Sequence, residues 1–115
     1  MGIAQQRGRA GEALAAAYFE LLGCEVLGRN QKLAGVEVDL LVAEGATRVL
    51  VEVKLRGRSD FGGAALAVDH AKRERLKRAA RALGSGAMPL RIDVVALERL
   101  DDGLTLRHYR NAVTD

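Results

Sequence analysis

The sequence predicts an α/β domain in the order helix, three strands, helix, two strands, and three observations carry that prediction. Between Val36 and Leu55, two period-2 runs rich in Val and Leu flank the polar segment Glu44-Gly45-Ala46-Thr47, the signature of a β-hairpin with a four-residue connection. Apolar residues recur at helical spacing in two other stretches, about residues 3–22 and 68–83. The chain has 115 residues and 49% hydrophobic content. That suffices for one domain over residues 1–115 burying roughly two thirds of its unfolded surface.

The first helix starts at Ile3 or only after Gly8, and Gly23 is a natural stop. Ala10, Leu14, Ala17 and Leu21 form one stripe, while Ala15, Phe19 and Leu22 make a second apolar side. Between Ala10 and Leu22 only Glu12 and Glu20 are charged. Glu12 reads either as a first-turn glutamate favoured by the helix dipole or as a carboxylate directed at something cationic. A short strand, Cys24 to Leu27, follows, and then the polar link Gly28 to Lys32.

The central hairpin comes next. If Ala43 faces Arg48, Asp39 lies opposite Glu52 and Glu37 opposite Lys54. Strand alternation then sets these four on one face and Val36, Val38, Leu40, Val49, Val51 and Val53 on the other. Residues 56–63 form a glycine-rich basic loop without a phosphate-loop pattern. On the second helix, Val68, Leu76, Ala79, Ala80 and Leu83 form the apolar stripe, with Lys72 in its middle and Arg73 and Arg75 beside it. Lys72 either snorkels to solvent or reaches the polar face of the sheet. Gly84-Ser85-Gly86 ends this helix, Leu90 to Leu97 is the fourth strand, and Leu104 to Tyr109 is a last, edge strand. Asp93 either joins the acidic patch or takes a structural partner such as Arg91 or a loop amide.

Composition excludes several classes of function. With 3% aromatic residues and no Trp, the core is built from Val, Leu and Ala, and single-strand readers that stack bases on aromatic rings are disfavoured. A single cysteine, Cys24, permits no internal disulfide, and no zinc-ligand spacing occurs. With no signal-like or membrane-spanning stretch, the expectation is a soluble cytoplasmic protein without a membrane partner. Net charge is +3, but residues 54–81 hold nine basic and three acidic side chains. Such a segment is either a solvated helix face or a phosphate-contacting surface.

Asp39 opposite Glu52 places oxygen ligands from two strands within reach of one ion, and hard cations such as Mg²⁺ or Mn²⁺ take oxygen ligands. Lys54 beside them can polarise a water and offset charge on a phosphorane-like transition state. The set fits phosphodiester hydrolysis better than glycoside hydrolysis, where a neighbouring lysine would depress the acid that must stay protonated. Read without further context, the same face is equally a cross-strand salt-bridge pattern.

An ordered series of motifs extends the pattern: G-x-x-G-E (Gly8, Gly11, Glu12), R-N (Arg29, Asn30), E-V-D-L-L (Glu37 to Leu41) and V-E-V-K-x-R (Val51 to Arg56). F-G (Phe61, Gly62), K-x-x-x-L (Lys72, Leu76) and R-I-D-V-V (Arg91 to Val95) follow in order. Together they resemble the bacterial YraN family, which is similar to the restriction-endonuclease-like (PD-(D/E)XK) nuclease superfamily and its archaeal Holliday-junction resolvases. The resemblance implies a restriction-endonuclease-like mixed five-stranded sheet flanked by helices, in the order α-β-β-β-α-β-β. It also implies a catalytic set of Glu12, Asp39, Glu52 and Lys54, with the backbone carbonyl of Val53 as a further metal ligand. This chain has Val36-Glu37-Val38-Asp39 where the family usually has Gly-Glu-Ile-Asp, which predicts an altered start to the strand and an intact patch.

The expectation is therefore a Mg²⁺- or Mn²⁺-dependent nuclease-like domain acting on DNA, with branched DNA among its substrates. Arg56, Arg58, Lys72, Arg73 and Arg75 are the expected phosphate contacts. Symmetric cutting of a junction would call for a homodimer. A non-catalytic nucleic-acid-binding module of the same fold, or a protein-interaction domain with a salt-bridged sheet face, are the competing readings.

Overall fold

The elements follow one another as α1 (Ile3–Leu21), β1 (Glu25–Leu33), β2 (Val36–Glu44), β3 (Thr47–Arg56), α2 (His70–Leu83), β4 (Leu90–Leu100) and β5 (Gly103–Tyr109). The computed structural model describes residues 2–57, 70–83 and 88–113. Its strands make one five-stranded sheet in the spatial order β1-β2-β3-β4-β5. All neighbours are antiparallel except β3 and β4, which run parallel because the chain between them crosses over through α2. The mixed sheet, its helices and their order are those predicted. Arg58, Phe61, Gly62, Val68 and the expected helix stop at Gly84-Ser85-Gly86 lie outside the described residues.

Helix α1 ends as glycine allows. Gly23 takes φ 88°, its N–H reaches the Glu20 carbonyl at 3.0 Å, and the Cys24 N–H reaches the Phe19 carbonyl at 3.0 Å. Both bonds satisfy carbonyls that the last turn would otherwise leave open. The buried side is Gly11, Ala15, Ala16 and Phe19, whereas Leu14, Ala17 and Leu21 of the expected stripe are exposed. This helix is apolar nearly all round, so spacing left its phase undetermined. Small residues won the inner face because they let the backbone approach the sheet.

Strand β1 runs well past its expected end at Leu27. The polar stretch read as a link is in register with β2, Arg29 with Leu40, Gln31 with Val38 and Lys32 with Glu37. It pairs along one edge only and is largely exposed, so its ladder needs no apolar alternation. A register shift between Val26 and Gly28 further breaks the period. The β2–β3 connection is shorter than expected, because Glu44 and Thr47 pair and only Gly45, at φ 59°, and Ala46 remain in the turn.

The sheet separates two apolar layers. On the α1 side Ala15, Ala16 and Phe19 pack on Leu40, Val42, Val49, Val51, Val95 and Leu97. On the α2 side Leu76 and Ala79 pack on Val36, Val38, Leu41, Leu50, Ile92 and Val94.

A polar network ties the sheet's far end to α1. Asp93, fully buried, accepts hydrogen bonds from Arg91 Nε (2.9 Å) and the Asn111 N–H (2.9 Å), and its Oδ2 lies 2.7 Å from His108 Nε2. It therefore takes the structural partners offered as one of its two readings. Facing a carboxylate, His108 Nε2 is the donor of that contact, and on the other side of the ring Nδ1 lies 2.8 Å from the Tyr18 hydroxyl.

Glu44, at the turn end of β2, accepts from Arg91 Nη1 at 2.9 Å and from Arg110. The Arg91 hydrogen bond, with the charges of Arg91 and Arg110, lowers its carboxyl from 4.5 to about 2, against the opposing effect of burial. A folded-state value below the unfolded one means these pairs add stability above pH 4.5 that is lost as pH falls towards about 2. Denaturant titrations across that range are expected to show a steeper acid loss for the parent than for Glu44→Gln.

Candidate metal and nucleic-acid site

Strands β2 and β3 pair from Glu44 with Thr47 to Leu40 with Val51, and the pairing stops there. Beyond that point β2 stays with β1, while β3 stays with β4 as far as Arg56 with Glu98. The sheet thus forks at Asp39. Inside the fork Asp39 Oδ2 accepts the Val53 N–H at 2.8 Å, taking the place of the carbonyl that a continued ladder would supply.

The fork coincides with a slip in alternation. Val38 packs in the α2 layer and Leu40 in the α1 layer, although strict period 2 would put both on one face. Across from Asp39 on β1, between the Arg29 and Gln31 pairs, Asn30 adopts φ 50°, a left-handed conformation that Asn tolerates better than most residues. The expectation that Val36 and Val38 share a face with Leu40 is therefore corrected. So is the pairing of Glu37 with Lys54: Glu37 lies exposed in register with Lys32, and Lys54 turns to Glu52.

Glu52 is the buried member of the set, 5% exposed. Lys54 Nζ stands 3.4 Å from its Oε1 and Lys72 Nζ 3.6 Å from its Oε2. Lys72 therefore reaches the sheet, as in the second of its two readings, but at one buried carboxylate in the otherwise apolar α2 layer. Even so, Glu52 Oε2 is buried without a hydrogen-bond partner. Burial raises the Glu52 carboxyl above its usual range, the charge of Asp39 raises it further, and Lys72 and Lys54 oppose both. A raised folded-state value means the ionised group lowers stability once pH exceeds that of the free carboxyl. The lysines are 24% and 26% exposed and can turn to water. Glu52→Gln is therefore expected to unfold at the same or a higher urea midpoint at pH 7.

Glu12 approaches from α1. The helix begins at Ile3, so Glu12 is mid-helix and the first-turn reading does not apply. Asn30 Nδ2 donates to Glu12 Oε1 at 2.9 Å. Partial burial raises the Glu12 carboxyl, the Asn30 bond opposes, and Asp39 and Glu37 add repulsion. Glu12 and Asp39 are thus neighbours, brought from α1 and β2. Spacing alone does not assign Asn30 a role; its signal is the R-N pair directly after Gly28, a polar turn-former that tolerates positive φ.

The predicted basic residues divide. Lys72 is engaged with Glu52, Arg73 is half-buried on α2, and Arg75 is exposed there. Arg56 closes β3 on the rim of a groove on the α1 face. Arg58 lies outside the described residues.

Among the described residues no three His, Cys, Asp or Glu side chains converge as a metal cluster. The donor chemistry nonetheless suits a hard cation, which needs only one or two carboxylates when water and substrate oxygens complete its shell. Asp39 and the orphaned Glu52 oxygen could supply those two. Val53 turns its N–H towards Asp39, and in a strand a residue's N–H and C=O face the same edge, so its carbonyl faces the fork as well.

Fold and site together define a mixed-sheet α/β protein with a carboxylate–lysine cluster set where two central strands part. The chain belongs to uncharacterised protein family UPF0102, the YraN-like family, whose model matches residues 11–97. That span includes Glu12, Asp39, Glu52, Lys54 and Lys72. A UPF0102 protein of Halorhodospira halophila is 43% identical over 95 residues, covering 82% of this chain and 78% of the relative. One of Methylobacillus flagellatus is 39% identical over 103 residues, covering 87% and 91%. One of Stutzerimonas stutzeri is 38% identical over 117 residues, covering 97% and 98%. No helix among the described residues is long and apolar enough to cross a membrane.

Proposed function

We propose that the chain is a cytoplasmic, divalent-metal-dependent nuclease that hydrolyses DNA phosphodiesters, branched DNA included. The observation that carries the reading is Glu52, a buried carboxylate with one unbonded oxygen, repelled by Asp39 across the fork and flanked by two ammonium groups. A fold selected only for stability has no use for that combination.

Asp39 and Glu52, with the Val53 carbonyl, would hold the ion. A bound Mg²⁺ or Mn²⁺ would lower the pKa of a coordinated water and neutralise charge on the phosphate. Lys54 would leave Glu52 to hold the attacking water and to face the charge that builds on the phosphoryl oxygens. Glu12, fixed by Asn30, would orient a water on the α1 side. Arg73 and Arg75 would contact flanking phosphates, with an affinity that falls as salt rises, whereas Arg56 lies on the α1-face groove.

A second reading has its own observation. Lys54 and Lys72 already neutralise Glu52 without an ion, which suits a nucleic-acid-binding module that keeps the fold without catalysis. Incubating the protein with linear, flapped and four-way DNA in Mg²⁺ or Mn²⁺ separates the two. Cleavage lost in Lys54→Ala supports the nuclease; salt-sensitive binding with no cleavage, unchanged by chelator, supports the module.

A further inference from the structure

The α1 face carries a concavity apart from the fork. At the ends of β3 and β4 a cavity of about 330 Å³ is bounded by Gly11 and Leu97 and by Leu14, Leu55 and Leu104. These last three leucines are 41%, 44% and 53% exposed. Leucines gathered around a hollow, in contrast to ones scattered singly, mark an interaction surface. Gly11 limits how far the hollow is filled: a Cβ there would lie 2.7 Å from Leu55 Cδ1 and 3.3 Å from Leu97 Cδ1.

Three arginines, Arg7, Arg56 and Arg99, border the cavity, and among the described residues no carboxylate does. Among the described residues none of the three forms an ion pair. Arg91 and Arg110, by contrast, are both held on Glu44. Among the described residues the rim therefore presents three guanidinium groups with no facing carboxylate, around an apolar floor.

We infer that this groove docks an acidic segment of a partner protein. The segment inserts a bulky apolar side chain among the leucines and sets carboxylates against Arg7, Arg56 and Arg99. The lining chemistry decides among occupants. A nucleobase would press its hydrogen-bonding edge against leucine and find no aromatic ring to stack on. A fatty acid has one carboxylate and would leave two arginines unmatched. An apolar anchor between carboxylates answers both features, and the planar guanidinium fork accommodates carboxylates in bidentate fashion. The cavity is at the small end for ligand sites, suited to one anchoring side chain of the kind that dominates protein interfaces. The inference does not depend on the fork being a nuclease site.

Random peptides displayed on phage, selected on the full chain and counter-selected on Arg99→Glu, provide the test. Enriched peptides are expected to combine a Leu, Phe or Trp anchor with two or more Asp or Glu. A synthetic copy, followed by fluorescence anisotropy, is expected to bind the parent and to lose at least about tenfold in affinity, about 1.4 kcal/mol, on Arg99→Glu and on Leu104→Asp. Unchanged melting temperatures for both exposed-site variants accompany that result. No enrichment, enrichment without acidic residues, or affinity unchanged in both variants overturns the inference. So does a parent dimer that both variants dissociate, which would give the groove to a second copy, or a loss of DNA binding in both, which would give it to nucleic acid.

Discussion

Asp39→Asn is expected to lower metal-dependent DNA cleavage by about 10³-fold, a loss of roughly 4 kcal/mol of transition-state stabilisation. The amide keeps an oxygen where Asp39 Oδ2 accepts the Val53 N–H at 2.8 Å. The fork thus keeps its strut while the charge that would hold a cation is gone, and stability should change by less than about 1 kcal/mol. Asp39→Ala removes both, leaving the Val53 amide without its partner, and should add a structural cost of about 1–3 kcal/mol to the same loss of activity. Cleavage kinetics and urea unfolding of the two variants separate charge from strut. Equal activity in Asp39→Asn and the parent would mean that the aspartate only braces the fork.

The largest expected effect on stability lies at Asp93. Its carboxylate is fully buried and serves Arg91, His108 and the Asn111 amide together. Asp93→Ala strands all three donors and leaves the Arg91 guanidinium without one of its two carboxylate partners, the other being Glu44. Removing one member of a buried charged cluster costs about 3–5 kcal/mol, a large part of the 5–15 kcal/mol that typically separates folded from unfolded. The melting temperature should fall by roughly 10–20 °C. His108→Ala should fall less, because Asp93 keeps its bonds to Arg91 and the Asn111 amide while Tyr18 loses a partner. A change below about 1 kcal/mol in Asp93→Ala would show that the network is incidental to stability.

Particular residues show what could be read without coordinates. The hairpin was legible because Val and Leu alternate cleanly on both its strands, and Ala43 does face Arg48. The same extrapolation failed beyond Leu40. Period-2 arithmetic assumes an unbroken ladder, whereas the strands part at Asp39 and alternation slips there. Glu52 beside Lys54 survives that slip because both lie on one strand. The Glu37–Lys54 pairing does not, because it needed two strands in register. The sequence shows only the first part of β1, because an exposed edge strand has no apolar period to display. Glu12 meeting Asn30, and Tyr18 meeting His108, join residues 18 and 90 positions apart. Such contacts follow from how the helices dock on the sheet, which local pattern does not encode.

The central claim is that Asp39 and Glu52 together hold a divalent cation, and thermal unfolding with and without Mn²⁺ tests it most directly, without any DNA. At about 100 times its dissociation constant, a folded-state ligand adds about 2.7 kcal/mol, a rise in melting temperature of roughly 10 °C for a chain of this size. The parent should show that rise, and Asp39→Asn and Glu52→Gln should show little or none of it. An equal rise in all three proteins, or none in the parent, would contradict a cation site in the fork.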